Sequence, residues 1–146
     1  MEQINVQKKF IAQNLKLNLK VLGISNSKKM VISDSDIDLN NWSKVLDKSK
    51  LKANFNDFQN KILELNLRNS LFVDNTASEV IPSTYSKYLK NGVGIVTCNK
   101  IANSVDYSNY ELLKSLSRNN NSPFFYETNV GACLLYTSDA ADEYDR

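Results

Sequence analysis

Three segments of this chain each combine an apolar strand with the polar loop that follows it. They are Leu71-Phe-Val-Asp-Asn-Thr-Ala-Ser78, Ile95-Val-Thr-Cys-Asn-Lys-Ile-Ala102 and Phe125-Tyr-Glu-Thr-Asn-Val-Gly-Ala132. An open parallel α/β sheet places its ligand-binding groups in such loops, at the carboxyl ends of its strands. Helical patterns separate the three segments, which favours a parallel sheet with right-handed crossovers. We therefore expect a doubly wound α/β fold with a binding site along one edge of the sheet.

Hydrophobic periodicity and capping residues place the remaining elements. The predicted strands are Leu17–Ile24, Leu71–Asn75, Val93–Thr97 and Pro123–Glu127, with a short extended piece at Met30–Ser33. The predicted helices are 2–14, one capped by Asp38 that ends near Leu46, one capped by Asn54 or Asn56, one from Ser78 or Glu79 to Lys90, and Tyr107–Asn119. In the first helix Ile4, Val6, Phe10, Ile11 and Leu15 fall on one face.

Composition limits the classes of function. A chain of 146 residues with 42% hydrophobic and 23% charged residues is typical of one soluble globular domain. A net charge of +2 with scattered basic residues gives no reason to expect a nucleic-acid partner. No apolar run reaches the ~20 residues of a membrane span, so we expect no membrane partner. The absence of histidine excludes imidazole catalysis and histidine metal ligands within these 146 residues. Two cysteines form no disulfide framework, which fits a cytoplasmic protein.

The three strand–loop segments together resemble the nucleotide-binding domain of homoserine dehydrogenases. In that family the three loops have the patterns V-D-x-T-(S/A)-S, T-x-N-K-x-A and (Y/L)-(E/D)-(A/T)-x-V-G-A-G. The resemblance runs from about Glu2 to Ala132. It implies a partial Rossmann-type sheet and an oxidoreductase that interconverts L-homoserine and L-aspartate 4-semialdehyde with NADP or NAD. The stretch Asp38-Leu-Asn-Asn-Trp42 resembles an insertion of the bifunctional members, which suggests fusion to an aspartate kinase.

Both ends of the resemblance lead us to expect a fragment. The family carries a G-x-G-x-x-G turn before the helix that matches Met1–Asn14, and none of the four glycines forms it, so the first strand and glycine-rich loop are expected to be missing. The peptide Cys133-Leu-Leu-Tyr-Thr-Ser-Asp-Ala-Ala-Asp-Glu143 matches a translated sequencing adapter, although a natural polar tail is the alternative. We therefore assign 1–132 to a partial NAD(P)-binding domain and 133–146 to a non-native tail. We expect the fragment alone to be inactive and its parent to be a homo-oligomer through a missing domain.

Ser25, Asn26 and Ser27 follow the predicted strand whose end faces the adenine ribose in dinucleotide-binding folds. NAD enzymes place an acidic residue there for the ribose 2′-hydroxyl, and this sequence has none. The hydroxyl groups and the ammonium groups of Lys28 and Lys29 suit a 2′-phosphate, which favours NADP. The alternative is an ordinary exposed turn.

The resemblance assigns the next loops to the nicotinamide half of the cofactor and to the substrate. These residues are Asn75, Thr76, Ala77, Ser78, Asn99 and Lys100. Lys100 is the catalytic candidate, since a lysine at a strand's carboxyl end can hold a carbonyl group or pass a proton. The alternatives are helix capping by the hydroxyl residues and a solvated charge at Lys100.

Two segments suggest cation sites. Glu127, Val130 and Ala132 resemble the family's loop for a monovalent cation, sodium or potassium. The spacing Asp34-x-Asp36-x-Asp38-x-Asn40 looks like a calcium loop, but Leu39 stands at the glycine position and Val45 at the position of the bidentate glutamate. We therefore expect a solvated acidic loop there.

Two other functions stay open at this point. One is a non-catalytic nucleotide-binding or regulatory fragment of the same fold. The other is a related oxidoreductase such as aspartate-semialdehyde dehydrogenase, which needs a catalytic cysteine in a motif that does not surround Cys98.

Overall fold

The computed structural model describes residues 1–101 and 106–126, and the chain divides into two compact units, Met1–Asn66 and Leu67–Arg146. The first unit contains α1 (Glu2–Asn14), β1 (Gly23–Ser25), β2 (Met30–Ile32), α2 (Trp42–Lys48) and α3 (Phe55–Glu64). The second unit contains β3 (Leu71–Asp74), a 3-10 turn (Ile81–Thr84) that leads into α4 (Tyr85–Lys90), β4 (Gly94–Thr97), α5 (Tyr107–Asn119) and β5 (Phe124–Phe125).

In the first unit, β1 and β2 form an antiparallel hairpin that packs against α3. The buried centre consists of Ile24, Ile37 and Leu46. A Cβ atom on Gly23 would lie 2.8 Å from Cζ of Phe58, so the close approach of α3 to β1 depends on the glycine. The predicted cap of α3 is confirmed, because the Asn54 side chain accepts the backbone N–H groups of residues 56 and 57.

The first helix is confirmed with its predicted bounds, as α1 over Glu2–Asn14, whereas two other expectations for the first unit are wrong. The strand predicted at Leu17–Ile24 is reduced to Gly23–Ser25, because its one ladder partner, β2, pairs only with these residues. Asp38 does not cap a helix: its carboxylate accepts the Asn40 N–H and the Asn41 side chain, so it closes a local turn that competes with helix initiation. Helix α1 covers the predicted residues but contains no buried residue; Val6 is 75% exposed and Phe10 56%.

In the second unit, the predicted parallel sheet is confirmed, with strand order β3-β4-β5. Helix α5 has the predicted bounds, and Gly92, with φ of +76°, ends α4 as expected. The helix expected from Ser78 or Glu79 begins later, as a 3-10 turn at Ile81, and Pro82 lies in that turn. A short 3-10 entry is common where proline occupies the first turn of a helix.

The sheet of the second unit has one buried and one exposed face. On the buried face the ring of Phe72 stacks on that of Tyr88 from α4, with 4.4 Å between the centroids. Ile95 and Phe124 lie in the same row of the sheet as Phe72. The next row of this face, at the carboxyl ends of β3 and β4, holds the register partners Asp74 and Thr97. Alternation along the strands thus places two polar side chains at the end of an apolar face.

Candidate functional site

The carboxyl ends of β3 and β4 meet at a buried polar cluster. Asp74 is 1% exposed, Thr97 0% and Asn99 2%. The fourth member, Tyr85, is fully buried at the start of α4. Because a buried polar group must be hydrogen-bonded to be tolerated, the contacts among these four residues decide how the two loops after the strands are held.

Tyr85 joins the ends of the two strands. Its hydroxyl group donates to Oδ2 of Asp74 at 2.6 Å and lies 2.8 Å from Oγ1 of Thr97. Burial and the hydrogen bond with the Asp74 carboxylate raise the pKa of Tyr85 well above its usual value. The phenol therefore stays protonated and remains a hydrogen-bond donor to the carboxylate.

Asn99 joins the two loops. Its Nδ2 atom donates to Oδ2 of Asp74 at 3.2 Å and to the carbonyl oxygen of Ser78 at 2.8 Å. Its Oδ1 atom accepts the N–H of Ile101 at 3.1 Å, and its own N–H donates to Oγ1 of Thr97 at 2.9 Å. Both ends of the side-chain amide are thus bonded within the protein. The structure places Asn99 as a bridge beneath the loops, and its predicted contact with a cofactor stays a prediction.

The loop after β3 is built from short-range hydrogen bonds. Oδ1 of Asp74 accepts the Thr76 N–H at 2.8 Å, and Oγ1 of Thr76 accepts the Ser78 N–H at 3.2 Å. Oγ of Ser78 accepts the N–H groups of Val80 and Ile81, so this serine closes the bend before the 3-10 turn, whose N-cap residue is Val80. Asn75, Thr76 and Ala77 are exposed at the edge of the sheet.

Lys100 lies at the same edge as this loop. It is exposed and directly follows the buried Asn99. Two residues before Lys100, the Cys98 N–H donates to the carbonyl oxygen of Asp74 at 3.1 Å, which continues the link between the two strands. The structure therefore brings Lys100 and the Asn75–Ser78 loop to one edge, as the order of elements predicted.

Ser25, Asn26 and Ser27 belong to the first unit and form the tip of the β1–β2 hairpin. Oδ1 of Asn26 accepts the N–H groups of Lys28 and Lys29, at 2.8 and 2.7 Å, so this side chain is engaged in the turn. Oγ of Ser25 donates to the carbonyl oxygen of Lys29 at 3.4 Å. Ser27 and Lys28 are exposed.

The structure gives no support for a metal site in the residues that it covers. Glu127, Val130 and Ala132 lie outside the described residues. Within the described residues no group of three or more acidic or cysteine side chains could hold an ion. In the acidic loop, Asp36 accepts the Val21 N–H at 2.9 Å and pairs with Lys8, which is a structural role. Within 1–101 and 106–126 no helix has the length and apolarity of a membrane span.

Three members of the buried cluster were absent from the predicted site: Asp74, Tyr85 and Thr97. Asp74 and Thr97 carried a signal, because each is a polar residue at the end of an apolar strand within the quoted segments. Tyr85 carried none, since an aromatic residue at helical spacing is typical of a hydrophobic core.

Comparison with known proteins gives one consistent result. A family model described as the NAD binding domain of homoserine dehydrogenase matches residues 4–127. The chain is 36% identical over 135 residues to bifunctional aspartokinase/homoserine dehydrogenase 2 of Arabidopsis thaliana. It is 34% identical over 134 residues to the bifunctional aspartokinase/homoserine dehydrogenase of Buchnera aphidicola. Both alignments cover 92% of this chain, but only 15% and 16% of the relatives' lengths.

Solved structures share the fold. A Candida auris protein of unknown function aligns with a TM-score of 0.68 and 26% identity, over 85% of this chain and 36% of that one. Homoserine dehydrogenase from Thermoplasma acidophilum aligns with a TM-score of 0.60 and 20% identity, over 87% of this chain and 38% of that one. The expected α/β class with a parallel sheet is thereby confirmed.

Proposed function

Because this chain belongs to the family of homoserine dehydrogenase NAD-binding domains, we propose that it forms the cofactor-binding part of a homoserine dehydrogenase. The whole enzyme would interconvert L-homoserine and L-aspartate 4-semialdehyde, using NADP or NAD. The chain spans about 15% of the length of its bifunctional relatives, so the parent protein would also carry an aspartate kinase and a substrate-binding domain.

One observation carries this proposal: exposed Lys100 and the exposed Thr76-Ala77 pair lie at one edge of the sheet, over a buried cluster that ties their loops together. The backbone N–H of Ala77 makes no hydrogen bond within the residues that the structure covers. An exposed N–H and a neighbouring hydroxyl group fit the oxygen atoms of a nicotinamide nucleotide.

The residues have separable roles in this proposal. The bound nucleotide supplies the hydride acceptor. Thr76 and Ala77 would hold the nicotinamide half, while the ammonium group of Lys100 would stabilise the substrate oxygen or pass its proton. The buried cluster beneath them holds both loops, so that little reorganisation is needed when the substrate arrives.

We also propose that NADP is preferred over NAD. The β1–β2 turn from Ser25 to Lys29 contains no carboxylate that could accept the ribose 2′-hydroxyl. Ser27 and Lys28 are exposed at its tip and offer a hydroxyl group and a positive charge to a 2′-phosphate. A higher kcat/KM with NADH than with NADPH in the purified full-length protein would contradict this choice.

The loop around Glu127, Val130 and Ala132 is the proposed site of a monovalent cation. A carboxylate and backbone carbonyl groups are the oxygen ligands that such hard cations accept. A dependence of turnover on sodium or potassium, lost in a Glu127→Ala variant, would support it.

The decisive experiment measures reduction of NADP by L-homoserine with the full-length protein that carries this chain. Lys100→Ala should lower turnover by ~10²-fold or more, the effect of removing a positioned charged group. Lys90→Ala is the control, because Lys90 is also exposed but ends α4, before β4 begins. NADPH binding without homoserine turnover in the unmodified protein would favour the non-catalytic alternative. Normal turnover in a folded Lys100→Ala variant would refute the role of this lysine.

A further inference from the structure

We propose that Tyr85 is a positioning residue, whose buried hydroxyl group sets the place of Lys100 relative to the Asn75–Ser78 loop. This inference rests on the function proposed above. Tyr85 touches neither substrate nor cofactor in this proposal; it acts through Asp74, Thr97 and Asn99.

The ring of Tyr85 has a fixed position that is independent of both loops. It belongs to α4 and is fully buried. Its ring meets Phe72 of β3 and Phe124 of β5 edge-on, with centroid distances of 6.4 and 6.1 Å. Two edge-to-face contacts from different strands leave the ring little freedom, so its hydroxyl group is a fixed reference point at the carboxyl edge of the sheet.

From this point two hydrogen-bonded paths lead to Lys100. The first runs through Oγ1 of Thr97, which also accepts the N–H of Asn99. The second runs through Oδ2 of Asp74, which accepts from both the Tyr85 hydroxyl group and Nδ2 of Asn99. Oδ1 of Asn99 then accepts the N–H of Ile101, so the backbone is held on both sides of Lys100.

The same hydroxyl group also governs the other loop. The carboxylate of Asp74 accepts the Thr76 N–H through its second oxygen, Oδ1. Nδ2 of Asn99 donates to the carbonyl oxygen of Ser78. Because one phenol and one carboxylate serve both loops, a shift at Tyr85 changes the distance between Lys100 and the exposed Thr76-Ala77 pair.

Tyr85→Phe tests the proposal, since it removes the hydroxyl group and keeps the ring. Tyr88→Phe is the matched control: Tyr88 lies in the same helix, is 1% exposed, and its hydroxyl group makes no hydrogen bond within the described residues. In the full-length enzyme, we expect Tyr85→Phe to lower kcat for homoserine by ~10-fold or more, because a misplaced catalytic group slows the reaction strongly. The KM values for both substrates should stay within ~2-fold of normal, as should all parameters of Tyr88→Phe.

Asn99→Asp gives a second readout that a purely structural role would not produce. In the unmodified protein the amide nitrogen of Asn99 lies 3.2 Å from Oδ2 of Asp74. The substitution replaces that nitrogen with a carboxyl oxygen, so two carboxyl groups face each other at this distance. Two carboxylates so close do not both ionise, so the pair retains one proton at mildly acidic pH. The retained proton forms a hydrogen bond between the two carboxyl groups, in place of the one that the Asn99 amide donates to Asp74. The kcat of the variant relative to the unmodified enzyme should therefore fall as the pH rises and the pair loses that proton.

Hydrogen–deuterium exchange separates this inference from the proposed function, because it needs neither homoserine nor NADP. Amides in residues 75–80 and 98–101 should exchange ~10-fold or more faster in Tyr85→Phe than in Tyr88→Phe. If the unmodified protein fails to oxidise homoserine, the proposed function is lost and the exchange result still decides whether Tyr85 holds the loops. Equal exchange and equal kcat in the two variants would overturn the positioning role. Should Tyr85→Phe not fold, Thr97→Val removes the hydroxyl group's other partner and is judged by the same measurements.

Discussion

Asp74 ends β3 with a carboxylate that is 1% exposed. Its buried carboxylate accepts hydrogen bonds from the Thr76 N–H, the Tyr85 hydroxyl group and Nδ2 of Asn99. Asp74→Ala removes the acceptor of all three. Each donor then either finds another partner or stays unsatisfied in a buried place, which is costly.

The size of the effect follows from the partners that remain. A hydrogen bond to a charged group contributes about 1.5–3 kcal/mol. Asn99 keeps the carbonyl oxygen of Ser78, Tyr85 keeps Thr97, and the N–H of exposed Thr76 can reach water. We therefore expect roughly one to two such hydrogen bonds to be lost, which spans about 1.5–6 kcal/mol and has a central value of about 3–4 kcal/mol. Domains are stable by only ~5–15 kcal/mol, so this loss is a large fraction of the total.

Native-state hydrogen exchange of the β3 and β4 amides in the full-length protein measures this loss. Protection should fall by ~10²–10³-fold, since each factor of ten corresponds to ~1.4 kcal/mol. Asp74→Asn should cost less, because the amide keeps one acceptor oxygen and the same size. Asp34→Ala is the control on an exposed aspartate, where a change within ~0.5 kcal/mol is expected. A loss below ~1 kcal/mol for Asp74→Ala would refute the argument that this carboxylate holds the strand ends together.

Three further changes test separate parts of the fold. Gly94→Ala should destabilise the second unit by ~1–3 kcal/mol in denaturant unfolding, because its Cβ would lie 2.8 Å from Cγ of the rigid Pro123 ring; an unchanged midpoint would contradict the close approach. Asn54→Ala should reduce helix protection in α3 by ~0.5–2 kcal/mol through the lost cap, whereas Asn54→Asp should not. Burial raises the pKa of the Tyr88 phenol above its ordinary value of 10.0, so above about pH 10 the phenol ionises in the unfolded chain before it does so in the folded one. The free energy of unfolding is therefore unaffected by this group below about pH 10 and falls above it by ~1.4 kcal/mol per pH unit. Tyr88→Phe should make the loss of stability above pH 10 less steep, and an identical slope would count against a buried phenol.

Elements of the second unit were predictable because their signals are local. The run Leu71-Phe-Val-Asp74 is apolar until its last residue, and the structure ends β3 there. Helix α5 follows Asp106, whose side chain accepts the Ser108 N–H and thereby caps the first turn. In the first unit, Asn54 and α3 follow the same rule. Helix capping and the alternation of apolar residues depend on residues that are close in the chain, so both can be recognised from the sequence alone.

Strand length and helix burial in the first unit were not predictable in this way. The apolar run Leu17–Ile24 has the composition of a long strand, but a strand extends only as far as a partner offers backbone groups, and β2 offers three residues. The apolar face of α1 has helical spacing, yet burial depends on what the rest of the chain places against it. Both properties are decided by contacts between distant segments.

The candidate site shows the same division. The order of strands and loops was enough to place Lys100 and Thr76 at one edge of a parallel sheet, since parallel strands align their carboxyl ends. Only the tertiary structure revealed that Tyr85, eleven residues after Asp74, inserts its hydroxyl group between Asp74 and Thr97. It also revealed that Asn99 spans from Asp74 to Ser78. Such a cluster forms because buried donors and acceptors must satisfy one another in three dimensions, and no spacing along the chain encodes which of them will meet.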